Sequence, residues 1–295
     1  MKDGDGPVAG TQQVHRVIVL GATGRLGGLL LHPACADAWG GVAAIPVARR
    51  ADVPGMLHWA PGMPTGSLPK ADAVIALWGL TAGDDAALAI NAALAAPAQA
   101  LGRAVGARLV IHASSAAVYG AGADQFTETA PLDQSTIPYG DAKRAMEQAL
   151  AKIVADALPC DPSAVWLRIA NVAGADALFR RMADGGPITL DQFADHGGPE
   201  RSYVAPQDLV RVCLALARAS TPPSGPMNVA APGAVTMQAL LEAAGTPFTW
   251  RAAPRTARKR VVLDVARMMQ HAPLPDTASD AGYLVAAARA VGALP

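Results

Sequence analysis

The chain has 295 residues, which is enough for one large α/β domain or two smaller ones. Hydrophobic residues make up 52% of it and charged residues 16%, so it can bury a sizeable core and does not have a disordered composition. The formal net charge is zero, which gives no electrostatic case for nucleic acid or a membrane surface as a partner. The histidines and the three scattered cysteines show no metal-ligand spacing. We predict no metal site, and we predict reduced thiols in a cytoplasmic protein.

Short β-branched segments alternate with helix-like segments in the first part of the chain. Residues 1–13 are Gly-rich and polar, which predicts a flexible N-terminal tail. Because parallel strands need long crossover connections, the alternation predicts an α/β fold, a doubly wound parallel Rossmann sheet over residues 14–170. Pro33 is expected to kink or shorten the first helix. The predicted strands cover 14–20, 42–47, 57–60, 73–77, 108–113 and 164–169, and the predicted helices cover 24–38, 86–102 and 139–158.

The alternation fades from about residue 171, where Pro and Gly become frequent. Helices are predicted there over 208–218 and 237–244. This indicates a smaller C-terminal substrate lobe over 171–295, packed on the same sheet. The most apolar long stretch, at 86–102, contains Asn91 and Pro97 and is too interrupted to span a bilayer, so we predict a buried helix there and no membrane partner.

A glycine turn lies between the first predicted strand and the first predicted helix. Gly21 allows a tight turn, Gly24 lets the backbone approach a pyrophosphate, and Gly27 lets the helix pack closely on the strand. Free N–H groups at a helix start favour phosphate binding. The cofactor-binding residues predicted in this turn are Gly21, Thr23, Gly24, Arg25, Leu26 and Gly27.

The end of the second predicted strand carries arginines where a carboxylate would favour NAD. Arg49 and Arg50 come first, and no carboxylate follows until Asp52. Since an arginine there suits a 2′-phosphate, the sequence favours NADP over NAD, with Arg49 as the contact and Arg25 adding to the same pocket. The alternative is that these arginines only face solvent.

A second group of residues carries the chemistry. Tyr139 and Lys143 are four residues apart at the start of a helix, so they project from the same face. A nearby ammonium and an oxidised nicotinamide are expected to lower the pKa of the phenol, which can then pass a proton to or from a substrate oxygen while hydride moves. Ser115, at the end of a predicted central strand, can donate a hydrogen bond to that oxygen. The alternative for Ser115 is ordinary capping at a strand end.

These motifs resemble those of the extended short-chain dehydrogenases/reductases, within the NAD(P)-dependent epimerase/dehydratase group that includes nucleotide-sugar epimerases. The sequence GATGRLG at 21–27 looks like the glycine motif of the family, SSAAVYG at 114–120 like its catalytic serine segment, and PYGDAK at 138–143 like its Tyr/Lys helix start. The resemblance implies that Ser115, Tyr139 and Lys143 are catalytic. It also implies that Tyr139, Lys143 and Asn91 contact the cofactor.

The resemblance extends more loosely into the second half of the chain. Asn171 and Arg201 match positions that lie at the substrate, and the arginine often holds the diphosphate of a nucleotide sugar. Trp78 departs from the small residues usual near the cofactor and is expected to crowd or reshape the pocket. Ala116 and Ala117 stand where a dehydratase would need acidic residues next to Ser115, which ranks dehydration low.

Together, these features predict an NAD(P)-dependent oxidoreductase or epimerase. It would transfer hydride between a nicotinamide cofactor and a hydroxyl or carbonyl substrate, with a nucleotide sugar as one candidate. Two alternatives stay open: a small-carbonyl reductase of the same fold, and a non-catalytic NAD(P)-binding sensor. On resemblance, family members often pair through the helix that carries Tyr139, so a homodimer is expected.

Overall fold

A computed structural model of the chain describes residues 12–120, 124–132 and 137–295. The predicted N-terminal tail lies outside the described residues except for its last two positions. The described strands are β1 (Arg16–Leu20), β2 (Ala43–Ala48), β3 (Leu57–His58), β4 (Ala73–Ala76), β5 (Leu109–Ser115), β6 (Gln125–Phe126), β7 (Ser163–Ile169), β8 (Asn171–Val172), β9 (Ile188–Gln192), β10 (Glu200–Arg201), β11 (Tyr203–Val204), β12 (Gly225–Val229), β13 (Val235–Thr236), β14 (Phe248–Ala252) and β15 (Arg260–Leu263).

The helices cover both faces of the main sheet and the C-terminal part of the chain. The α-helices are α1 (Arg25–Leu30), α2 (Ala36–Trp39), α3 (Asp85–Leu88), α4 (Ile90–Ala93), α5 (Ala95–Val105), α6 (Pro138–Ala155), α7 (Ala177–Ala183), α8 (Pro206–Arg218), α9 (Met237–Ala244), α10 (Ala266–Met269) and α11 (Ala281–Ala290). Short 3₁₀ turns cover Pro33–Cys35, Ala116–Tyr119 and Asp276–Ser279. Within the described residues, no helix is both long and apolar enough to cross a bilayer.

The central sheet has seven parallel strands in the order β3-β2-β1-β4-β5-β7-β12. This order confirms the predicted doubly wound sheet. Successive side chains of a strand point to opposite faces of the sheet. In β1, Val17 and Val19 belong to the core cluster on one face, and Ile18 and Leu20 belong to the cluster on the other. The strand order reverses between β1 and β4, and the crevice beyond their carboxyl ends is where open α/β sheets bind ligands.

Two predicted helices are broken in the structure. The helix expected over 24–38 ends at Leu30, and Pro33 then begins a 3₁₀ turn before α2. The helix expected over 86–102 consists of α3, α4 and α5. Pro97 lies in the first turn of α5, where the missing N–H of proline costs no intrahelical hydrogen bond.

The sheet continues beyond residue 170, the predicted domain boundary. β12 pairs in parallel with β7 and adds the edge strand, and Leu209, Val210 and Cys213 of α8 belong to the same core cluster as β1. Residues 171–295 therefore contribute to the sheet layer as well as to three smaller sheets. These are β13-β10-β15-β6, β11-β8 and β14-β9.

Candidate active site

A cleft of about 490 Å³ opens at the carboxyl ends of β1, β4, β5 and β7. Its walls include Gly24, Arg25 and Leu26 from the glycine turn, and Ser115 and Tyr139 from the predicted catalytic group. A second cavity of about 290 Å³ adjoins it, because Ser115, Ile169, Ala170 and Asn171 line both. Arg201 lines the second cavity. The fold therefore brings residues from both halves of the chain to one edge of the sheet.

The glycine turn has the close approaches that its sequence predicts. Gly21 has a φ of +79°, and a Cβ there would lie 2.7 Å from the backbone N of Trp78. A Cβ on Gly27 would lie 2.4 Å from the carbonyl oxygen of Gly21. A Cβ on Gly24 would meet only that same oxygen, at 3.1 Å, and Gly24 is exposed. Gly21 and Gly27 thus form the turn, and Gly24 leaves its backbone open to a ligand in the cleft.

Trp78 does not crowd the cleft, contrary to the expectation from sequence. Its side chain is buried and stacks on Trp59 with ring centroids 5.8 Å apart, inside the core cluster beneath the turn. The neighbours of Trp78 in sequence, Leu77 and Gly79, line the cleft instead. Large indole rings bury much apolar surface, so Trp78 strengthens the core and leaves the ligand space open.

A separate cavity of about 570 Å³ lies beyond the end of β2. Thr23, Arg49 and Arg50 line it together with Ala60. Both arginines are exposed, and neither forms an ion pair or a side-chain hydrogen bond with the described residues. Arg25 does not contribute to this cavity, which corrects the prediction that it shares a pocket with Arg49.

Arg25 points across the cleft instead. Its Nη1 donates a hydrogen bond to the carbonyl oxygen of Ala175, 3.1 Å away, just before α7. Asp176 and Arg180 line the same wall, and sequence reasoning missed both. Asp176 caps α7 by accepting a hydrogen bond from the N–H of Phe179. An aspartate just before an apolar segment is a common helix start, so the sequence did contain a signal for this residue.

Asn91 lies in the core at the base of the cleft. Its Nδ2 donates to the carbonyl oxygens of Leu80 and Leu88, but its Oδ1 is buried without a hydrogen-bond partner among the described residues. Gly79 makes room for this oxygen, since a Cβ there would lie 2.2 Å from Oδ1 and 3.7 Å from the Nζ of Lys143. A buried acceptor without a donor is rare in proteins. The open backbone at Gly24 suits a polar ligand such as a dinucleotide, whereas Asn91 itself does not line the cleft.

Ser115, Tyr139 and Lys143 meet at the centre of the site. Pro138 starts α6, a position where proline fits a helix, and this places Tyr139 and Lys143 one turn apart. Tyr139 is hydrogen-bonded to Ser115. The Nζ of the buried Lys143 donates to the carbonyl oxygen of Ala113 at 2.7 Å and lies 5.8 Å from the centre of the Tyr139 ring. Ser115 also caps a 3₁₀ turn through the N–H of Ala117, so the structure supports both interpretations of this serine.

Burial decides the proton affinities of this group. It raises the pKa of Tyr139, and the hydrogen bond from Ser115 opposes that rise. It lowers the pKa of Lys143 to about 8, against the opposing charge of Glu147. The pKa of Tyr139 is therefore raised in the protein without cofactor, not lowered as expected, because burial is the largest effect on the phenol and Lys143 is not among the causes of its shift.

Arg201 is a half-buried cation with no ion pair among the described residues. Its Nη1 donates to the carbonyl oxygens of Glu200 and Lys259, and its Nη2 donates to that of Arg258. Burial lowers the pKa of its guanidinium, and the charge of Arg258 lowers it further. Asn171 lines both cavities, between Arg201 and the catalytic group. A cation placed in this way favours a negatively charged ligand.

The sheet order and the glycine turn make the chain a Rossmann-fold protein. A model of the NAD dependent epimerase/dehydratase family matches residues 68–230, which is more than half of the chain, so the protein belongs to this family. The match begins after the glycine turn and includes Ser115, Tyr139 and Lys143. The search of curated proteins found no match.

Solved structures with the same fold include nucleotide-sugar enzymes. UDP-glucuronic acid 4-epimerase from Bacillus cereus, in complex with UDP-glucuronic acid and NAD, is 15% identical with a TM-score of 0.71, covering 94% of this chain and 99% of that chain. TunA, an NAD-dependent NDP-hexosamine 5,6-dehydratase, is 17% identical with a TM-score of 0.70, covering 95% and 97%. MoeE5 in complex with UDP-glucose and NAD is 22% identical with a TM-score of 0.67, covering 93% and 98%. At these identities the likeness shows the fold.

Proposed function

We propose that the protein is an NAD(P)-dependent oxidoreductase or epimerase acting on a hydroxyl or carbonyl group of its substrate. The observation that carries this proposal is that Ser115 and Tyr139 line a cleft whose other wall is the glycine turn, with Lys143 buried next to Tyr139. Proteins of this fold that only sense a cofactor have no need of a tyrosine and a buried lysine in this arrangement. Family membership supports the same activity.

A bound nicotinamide dinucleotide would supply the hydride acceptor or donor. The backbone at Gly24 would face its pyrophosphate, and Lys143, whose Nζ has N–H groups beyond the one given to Ala113, would hold its ribose. Ser115 would donate a hydrogen bond to the reacting substrate oxygen. Tyr139 would give that oxygen a proton or take one from it.

We propose a nucleotide sugar as the substrate class. Arg201 supports this choice because its charge has no carboxylate partner among the described residues and lines the cavity next to Ser115. Two structural neighbours were solved in complex with UDP-glucose and UDP-glucuronic acid. The described lining of the smaller cavity includes Ala116 and Ala117 and no acidic residue, which favours epimerisation or reduction over dehydration.

A second candidate, reduction of a small carbonyl compound, is favoured by the size of the cavity that holds Arg201, about 290 Å³. We also propose NADP as the preferred cofactor, supported by the exposed Arg49 and Arg50 in the cavity beyond β2. Several structural neighbours were solved with NAD, so the two cofactors need to be compared directly. The homodimer and the cytoplasmic location stay predictions.

The test compares the wild-type protein with Tyr139→Phe, using Tyr283→Phe as a tyrosine control away from the cleft. Each protein is incubated with NAD(H) or NADP(H) and with UDP-sugars or small carbonyl compounds, and products are separated by chromatography. We expect Tyr139→Phe to lower turnover by about 10²–10⁴-fold, the usual contribution of a general acid or base, with little change in cofactor affinity. Full turnover in Tyr139→Phe would rule out this chemistry.

A further inference from the structure

A buried polar network lies directly behind the catalytic group, on the face of the sheet covered by α6. Ser114 donates a hydrogen bond to the Oε1 of Glu147 at 2.5 Å. Arg168 holds both carboxylate oxygens of Glu147, with its Nη2 2.6 Å from Oε2 and its Nε 3.1 Å from each oxygen. Ser114, Glu147 and Arg168 are 4%, 5% and 3% exposed, so the groups depend on one another for most of their hydrogen bonds.

The network continues to the edge of the sheet. The Nη1 of Arg168 donates to the hydroxyl of Tyr119, which donates in turn to the Oδ1 of Asn228 on β12. The guanidinium also stacks over the Tyr119 ring, 4.9 Å from its centre. Arg168 is therefore held from several sides and offers Glu147 a fixed partner.

The position of Glu147 links this network to catalysis. Glu147 follows Lys143 by one helical turn, so both project from the same face of α6. The two residues contact consecutive positions of β5, with Lys143 bonded to the carbonyl oxygen of Ala113 and Glu147 bonded to the hydroxyl of Ser114. The next residue on that strand is Ser115. These two contacts fix the position of α6 relative to β5.

We propose that Glu147 is a positioning residue. Its carboxylate, held by Arg168, fixes α6, which carries Tyr139 and Lys143, against β5, which carries Ser115, and keeps a negative charge beside the Lys143 ammonium. This inference rests on the proposed function of the same site. The charge matters because Lys143 is almost fully buried and burial disfavours its charged form. Glu147 opposes that effect and raises the pKa of Lys143.

The other ionisable groups near Lys143 do not supply this charge. His112 on β5 has its pKa lowered to about 3 by burial and is neutral at physiological pH. Arg168 on β7 is a cation, so without Glu147 its charge would further disfavour the charged form of Lys143. On α6 itself the other ionisable groups are Tyr139, the exposed Asp141 and Lys152, and Arg144, which pairs with Asp141. The described elements packed against α6 add Tyr119 in the 3₁₀ turn before it, Asp85 at the exposed start of α3 and Arg103 at the exposed end of α5.

Four variants separate charge from position. Glu147→Gln keeps the shape and removes the charge, Glu147→Asp keeps the charge and shortens the reach, and Ser114→Ala removes only the hydrogen bond to the strand. Glu242→Gln on the exposed side of α9 is the matched control. The direct measurement is the pH titration of Lys143 by NMR on protein carrying ¹³C-labelled lysine, which is practicable because the sequence has five lysines. This titration needs neither cofactor nor substrate.

We expect Lys143 to titrate near its wild-type value of about 8 in Glu147→Asp, Ser114→Ala and Glu242→Gln, and below that value in Glu147→Gln. The basic limb of the pH profile of kcat/KM should move to lower pH in Glu147→Gln alone. Small displacements of catalytic groups are costly, so kcat should fall by about tenfold to a hundredfold in Glu147→Gln and Glu147→Asp, with a smaller change in KM. Ser114→Ala should show a smaller loss of kcat.

An unchanged Lys143 titration in folded Glu147→Gln would overturn the inference, and so would wild-type kcat in Ser114→Ala. If Glu147→Gln does not fold, the Ser114→Ala and Glu147→Asp results decide the question. Failure of the proposed function would look different: Tyr139→Phe would keep full turnover while the Lys143 titration still responded to Glu147→Gln.

Discussion

The proposed active site has a catalytic end in the cleft and an exposed end in the separate cavity beyond β2, and the two are built in opposite ways. At the catalytic end, Lys143, Glu147 and Arg168 are buried, and each charge is held by neighbouring groups. At the exposed end, Arg49 and Arg50 line their own cavity after β2 and have no ion pairs among the described residues. Buried charges need hydrogen-bond or ion-pair partners within the protein. Exposed charges are screened by water, so replacing them costs little stability.

This difference teaches which property each end controls. Substitutions at the catalytic end should affect stability and rate together, because the same contacts hold the fold and the reacting groups. Substitutions at the exposed end should change cofactor preference and leave the fold intact.

The largest effect is expected from breaking the buried ion pair. Arg168→Met leaves the Glu147 carboxylate buried without its partner and should cost about 3–5 kcal/mol of unfolding free energy, measured by chemical denaturation. Arg103→Met is the control, because Arg103 pairs with Asp161 on the surface and is 62% exposed. It should leave stability nearly unchanged. Equal losses in the two variants would contradict the contrast between buried and exposed charges.

Two adjacent glycines offer a comparison at the turn itself. Gly27→Ala places a Cβ 2.4 Å from a backbone oxygen and 2.8 Å from the Cα of Ala22, so we expect a loss of about 1–3 kcal/mol. Gly28→Ala meets nothing within 4 Å and lies within α1, where alanine favours the helix by about 0.5–1 kcal/mol. Thermal or denaturant unfolding should show a loss of stability in Gly27→Ala and a gain in Gly28→Ala. Wild-type stability in Gly27→Ala would mean that the turn is looser than described.

Acidification should reveal the neutral histidine beneath Lys143. His112 is buried, within hydrogen-bonding distance of Gln99, and its pKa is lowered from 6.5 to about 3. The unfolded chain binds a proton below pH 6.5 and the folded chain does not, so stability is lost as pH falls from 6.5 towards 3. We expect this residue to account for about 2 kcal/mol between pH 7 and pH 5. His112→Gln, which can still bond to Gln99, should lack this part of the slope, and the same slope in both proteins would refute the assignment.

The smallest effect is expected at the exposed end. Arg49→Ala should weaken NADPH binding by about tenfold, equivalent to about 1.4 kcal/mol, and leave NADH binding unchanged. The control is Arg16→Ala, because Arg16 is exposed at the amino end of β1, away from the carboxyl ends of the strands. It should change neither affinity. Equal loss for both cofactors in Arg49→Ala would show that Arg49 does not read the 2′-phosphate.

Much of the fold follows from the sequence because the central strands are short and apolar. β1, β4, β5 and β7 lie within a residue or two of the predicted ranges, since buried parallel strands carry a continuous hydrophobic signal. β12 carries no such signal: GPMNV contains Gly and Pro and no run of β-branched residues. Its pairing with β7 makes it a strand, and Pro226 is tolerated because β12 is at the edge of the sheet.

The candidate site was predictable where residues act through local spacing. Tyr139 and Lys143 are one helical turn apart, and Gly21 and Gly27 flank a strand-to-helix turn. The directions of Arg25 and Trp78 depend on tertiary packing that no local pattern encodes, and both differ from expectation. Glu147 also has a local signal, the same helical spacing from Lys143, but its partner Arg168 comes from a distant strand.

The most direct test of the whole account is a titration of the wild-type protein with NADPH, NADH and their oxidised forms. Trp59 and Trp78 stack beneath the glycine turn, so energy transfer from tryptophan to a reduced nicotinamide can report binding. The account predicts saturable binding, tighter for the phosphorylated cofactor. No saturable binding of any of these dinucleotides would contradict the assignment of this cleft as a cofactor site and, with it, the proposed chemistry.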